Sequence, residues 1–64
     1  MLSDETLKEL IHLLINNIPK VQINRALIAI ELGIDRVANS ARDAGSTEIY
    51  EAILEELIEL IKET

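Results

Sequence analysis

Wound at about 100° per residue, the apolar side chains of residues 19–44 fall into two stripes on opposite sides of one helix. Ile23, Leu27, Ile30, Ile34, Val37, Ala41 and Ala44 form the main stripe, at steps of 4, 3, 4, 3, 4 and 3. Val21, Ile28 and Leu32 lie almost diametrically opposite. A surface helix of a small lone domain needs only one apolar stripe. Two stripes predict a helix covered on both sides, by its own chain or by a second copy.

The flanking segments also read as helices. Leu7, Leu10, Ile11, Leu14, Ile15 and Ile18 recur at helical spacing, and Leu13 widens their face. Ser3 is placed to cap this first helix, with Asp4 and Glu5 in its positive first turn. The helix is expected over about 4–16, ended by left-handed residues at Asn16-Asn17. Ile18-Pro19 breaks the chain, and proline suits the first turn of the next helix. Helix 2 is therefore expected over about 19–44, with Gly45 just past its end. Ser46 then caps helix 3, expected over about 47–62. Its Ile49, Tyr50, Ile53, Leu54, Leu57, Ile58, Leu60 and Ile61 span half the circumference, and Glu48, Glu51, Glu55, Glu59 and Glu63 take the other half.

Gly33 is the one irregular position. Glycine inside a helix costs about 1 kcal/mol against alanine, so a helix end there, with Asp35 capping a new short helix, is the alternative. Continuity is favoured because the main stripe keeps phase from Ile30 to Ile34 to Val37, and because glycine suits a site where another helix approaches closely.

The expected fold class is all-α: a three-helix protomer with a long central helix 2, a break at Gly33 being the alternative, assembling into a helical-bundle homo-oligomer. A continuous helix 2 is about 39 Å long, against about 20 Å for helix 1 and about 25 Å for helix 3. Helices 1 and 3 are expected to fold back over its two halves, as short connections favour antiparallel neighbours. Each outer helix has an apolar face too wide for one neighbour. The simplest cover for the remainder is a second copy related by a two-fold axis. The expected interface residues are Val21, Ile28 and Leu32 on helix 2, Leu13 on helix 1 and Ile58 on helix 3.

Composition supports that expectation. Sixty-four residues make one domain, residues 1–64, with little buried surface to stabilise it. There is no cysteine, so neither disulfides nor thiolate metal sites can brace the fold. Exceptionally good helix packing or oligomerisation remains. The eleven Ile and ten Leu are more large apolar side chains than so small an interior can hold. The net charge of −6 and scattered Lys and Arg argue against nucleic acid and anionic membranes. No apolar run approaches the roughly 18 residues of a membrane span. The acidic N-terminus lacks the features of a signal peptide, so a soluble, cytoplasmic protein is expected.

Candidate chemistry is sparse. Glu9 and the sole histidine, His12, spell the Glu-x-x-His pattern of di-iron bundles, but they fall on the polar face of helix 1, whereas such ligands point inward. The acidic ladder of helix 3 is a straight face that cannot wrap calcium. It reads as solvated, with Arg25, Arg36 and Arg42 as available ion partners. Ser3 and Ser46 are assigned to caps, and Ser40, Thr6 and Thr47 have no histidine nearby in sequence to activate them. No glycine-rich loop can cradle phosphate. The residues predict no enzyme, no catalytic, cofactor or metal site, and no small-molecule substrate. Tyr50 reads as core or interface filler with its hydroxyl in water. Asn24 and Asn39 flank the second stripe of helix 2.

Three resemblances follow from quoted residues. Leu32-Gly33-Ile34, Ala41, Ile49 and Ala52-Ile53 resemble the ubiquitin-associated domain, although the Met and the aromatic of its binding loop are missing. Ala29, four residues before Gly33, resembles a helix-turn-helix turn, with a charge wrong for DNA. Ser3-Asp4-Glu5, Ala44-Gly45-Ser46-Thr47-Glu48 and the Glu/Leu/Ile writing of 51–64 resemble de novo designed helical bundles, with the caps and patterns that design rules prescribe. That likeness implies a structural role, to fold and assemble without a natural substrate; the expected partner is the chain itself, as a dimer, because two-fold symmetry is the commonest. The alternative function is a small helical protein-binding module whose apolar groove takes a partner helix or a ubiquitin-like protein.

Overall fold

Ser3 opens the first helix as expected: its hydroxyl oxygen accepts from the Thr6 N–H at 3.2 Å. The computed structural model describes residues 2–40 and 45–63. Among these the chain is all-α, with α1 at Asp4–Asn17, α2 at Ile23–Ser40 and α3 at Ser46–Glu63. Asn17 closes α1 by donating its side-chain N–H to the Leu13 carbonyl at 2.7 Å. Ile18 follows in an extended conformation, as a residue before proline must. No non-glycine residue among those described has positive φ. The left-handed ending expected at Asn16-Asn17 is therefore replaced by an extended Ile18.

Pro19 does not begin α2. It leads into one 3₁₀ turn at Lys20–Gln22, and the α-helix starts at Ile23. Such tight turns are common at helix starts. From Ile23, α2 runs unbroken through Gly33 to Ser40, so the alternative break at Gly33 does not occur. The ubiquitin-associated resemblance would need a loop at Leu32-Gly33-Ile34, and these residues are helical instead. The end expected at Ala44, with Ala41 and Arg42, lies outside the described residues.

The central helix is α3, not helix 2. It packs against both α1 and α2, which scarcely touch each other. Matched pairs give the directions. Asp4 meets Ser46, Lys8 lies over Tyr50, and Ile18 and Leu60 share the core. Partners thus rise together, so α1 and α3 are parallel. Gly33 abuts Ala52-Ile53, whereas Ala29 lines a groove with Leu60, so α2 runs antiparallel to α3. The molecule measures 35 × 23 × 15 Å, which suits a bent layer of three helices.

Ile18, Ala26, Ala29, Ile53, Leu57 and Leu60 form the core, and Ile11, Leu14, Ile15 and Ile30 pack around it. On α2 the buried face is a seam of small residues, Ala26, Ala29 and Gly33, set 3 and 4 apart. Small side chains let two helix backbones approach closely. A Cβ on Gly33 would stand 2.9 Å from the Ile53 nitrogen and 3.0 Å from the Ala52 carbonyl. Both apolar stripes of α2 flank this seam, and of the main stripe Ile30 reaches the core. The expectation that helices 1 and 3 fold back over the two halves of helix 2 is corrected accordingly: α1 packs on α3 instead.

Ser46 does not cap α3. It is the helix's first residue, and its hydroxyl donates to Asp4 at the start of α1, as does that of Thr47. These two bonds, Ser46 first, hold the Asp4 carboxyl below its ordinary pKa, with a smaller pull from Lys8. Because the folded value is depressed, the unfolded chain takes up this proton first as pH falls. The resulting stability is fully present above about pH 4 and is lost as pH falls through the lower folded value. We expect the melting-temperature gap between the parent and Asp4→Asn to narrow from about pH 6 to about pH 3. A constant gap would mean that the carboxylate makes no charge-dependent bond.

Candidate self-association surface

Each interface residue expected from sequence lies on the surface of the single chain, from 39% exposed at Ile58 to 86% at Val21. They are carried by all three helices and by the turn before α2. Ile28 and Leu32 line a groove of about 340 Å³ between α2 and α3, together with Arg25, Ala29, Glu59 and Leu60. Val21 stands on the 3₁₀ turn just before α2. Ile58 lines a charged surface with Arg36, Glu55 and Lys62 that shares Glu56 and Glu59 with that groove, and Leu13 lies exposed on α1. The surface bearing Ile58 therefore adjoins the groove of Ile28 and Leu32.

The main stripe of α2 is also largely open. Ile23, Leu27 and Ile34 are exposed, and only Ile30 and Val37 are half-buried. Among the described residues, ten large apolar side chains are exposed, against five that are buried. The excess is concentrated on α2, which holds Ile23, Leu27, Ile28, Leu32 and Ile34. Helical geometry explains this. Ala26, Ala29 and Gly33 occupy the packed seam, so the larger residues next to them in sequence fall on its two flanks.

A second apolar concavity, about 370 Å³, lies at the end of the molecule between Leu14, Asn17, Ile18, Pro19, Gln22, Leu60 and Ile61. The Gln22 side-chain oxygen is buried without a hydrogen-bond partner. Such an unmet acceptor costs about 1–3 kcal/mol. Nothing in the local sequence signals it.

The charged groups are mostly solvated. Arg36 spans from α2 to α3, pairing with Glu55 at 2.9 Å and Glu56 at 3.3 Å. All three side chains keep contact with water, so the bridge contributes about 0–1 kcal/mol. Of the arginines considered as ladder partners, Arg42 lies outside the described residues, and of the other two only Arg36 meets α3 in an ion pair among the described residues. Glu9 and His12 are both exposed on α1. No cluster of three or more metal-ligating side chains occurs among the described residues. Tyr50 is half-buried beside the core, with the Lys8 ammonium 5.6 Å from its ring centre. No helix among the described residues is long and apolar enough to cross a membrane.

Comparison with protein-family models, curated proteins and solved structures finds no match to this chain.

Proposed function

We propose that this chain is a structural, self-associating helical protein without catalytic activity, that its partner is a second copy of itself, and that it originates from design. The observation that carries this reading is the pair of exposed apolar stripes flanking the small-residue seam of α2. Water-exposed apolar surface of this extent is favourable to bury. A second copy supplies an identical surface at no further genetic or synthetic requirement, and two-fold pairing is the commonest way to use it. The Ser3 cap of α1 and the Glu/Leu/Ile writing of α3 support the design origin. The protein works in aqueous, cytoplasmic surroundings (those of an expression host for a designed chain), without nucleic acid, membrane or small-molecule substrate.

Ile28→Glu and Leu32→Glu test this assignment. Each is expected to reduce the particle to a single chain while leaving helicity unchanged, because both residues are exposed and neither supports the core. If both variants keep the parent's size, the outer edge of α2 is not the interface.

A second reading rests on the concavity between Leu14, Ile18, Leu60 and Ile61. A small helical binding module would offer such an apolar site to a partner helix or ubiquitin-like protein. It predicts a monomer at all concentrations, so size in solution separates the two readings.

A further inference from the structure

We infer that two copies pair α2 against α2 in antiparallel fashion, about a two-fold axis between Ile28 and Leu32, so that Arg25 of each meets Asp35 of the other. This rests on the self-association proposed above and specifies its surface, direction and register.

The outer edge of α2 and its preceding turn reads Val21, Arg25, Ile28, Leu32, Asp35, Asn39, at steps of 4, 3, 4, 3 and 4. That is the 3.5-residue period that keeps a seam facing a second helix. All six residues are exposed. The stripe is also complementary to itself when reversed. About the midpoint of Ile28 and Leu32, Ile28 maps onto Leu32, Arg25 onto Asp35 and Val21 onto Asn39. A two-fold axis requires such reciprocity, since residue i contacts j and j contacts i. Each dimer would then hold two opposite-charge pairs around an Ile28/Leu32 centre.

Other arrangements match the chemistry less well. A parallel pair sets Arg25 beside Arg25 and Asp35 beside Asp35. Sliding the antiparallel pair by one step in either direction sets Arg25 against Leu32 or Asp35 against Ile28. Arg25 and Asp35 are also available: neither makes an ion pair within the chain among the described residues. Arg36, by contrast, is already engaged with Glu55 and Glu56. The two charge pairs would set local attraction against the overall repulsion between chains of net charge −6.

Charge exchange tests the register. Arg25→Glu gives each homodimer two contacts between carboxylates, and Asp35→Arg gives each two contacts between guanidinium groups. Like charges in contact are costly, so each variant alone is expected to dissociate with a Kd raised about tenfold or more. Mixed one to one, the variants form a heterodimer in which the introduced glutamate faces the introduced arginine. Its other contact is the native pair, Asp35 of the first variant with Arg25 of the second. The mixture should therefore regain the parent's Kd, read by light scattering and by fluorescence anisotropy of one labelled variant. A mixture no tighter than its components would overturn the register. So would unweakened single variants in a chain that Leu32→Glu still dissociates, and self-association itself would then stand. A parent that is monomeric throughout would overturn both.

Discussion

Replacing Leu57 with alanine is expected to unfold most of the population at 25 °C. Leu57 is 0% exposed and belongs to the core. It sits on α3, the one helix that both others contact. Deleting a fully buried leucine side chain costs about 3–5 kcal/mol, part for lost transfer and part for the cavity left behind. A domain of this size holds only about 3–5 kcal/mol in total. Thermal and urea unfolding followed by circular dichroism, at fixed protein concentration, would read the loss. A change below about 1 kcal/mol would contradict the placement of Leu57 in the core.

Gly33→Ala gives the second large effect, with a sign opposite to helix propensity. At an exposed helix position the change should stabilise by about 1 kcal/mol. Here the new methyl group would fall 2.9–3.0 Å from backbone atoms of Ala52 and Ile53. Backbone inside a helix cannot step aside as a flexible side chain can. The two helices must separate, loosening the contacts of Ala26, Ala29 and Ala52. Overpacking of this kind costs about 1–3 kcal/mol, so a net loss is expected, and Gly33→Leu should cost more. Stabilisation by alanine would show that α2 and α3 do not approach at Gly33.

These two residues also show how far the fold can be read from sequence. The face of α1 and the core positions of α3 are legible because each helix sets large aliphatic residues on one side, as with Leu7, Leu14 and Ile18 or Ile53, Leu57 and Leu60. The packed face of α2 is not, because its seam is made of Ala26, Ala29 and Gly33. Judged by apolarity, these are far weaker than the Ile and Leu of the helix. What joins them to α3 is small size, which permits close approach. The Ile and Leu stripes beside them therefore suggest a helix covered on both sides, and point to helix 2 for the central place that α3 occupies. One 3₁₀ turn displaces the restart from Pro19 to Ile23. Local spacing assigns Ser46 to its own helix, whereas its hydroxyl serves Asp4 across the bundle, a tertiary contact that spacing does not encode. For the candidate surface, Val21, Ile28 and Leu32 are legible as one stripe. Leu13 and Ile58 can be recognised as apolar and surplus, but their place relative to that stripe depends on where α1 and α3 pack.

The most direct test of the account is the mass of the unmodified chain in solution, by light scattering after size exclusion, over about two decades of concentration. Self-association through α2 predicts twice the 7.2 kDa of one chain, falling towards a single mass only on dilution. A constant 7.2 kDa would contradict it, leaving the exposed stripes for a different protein to cover.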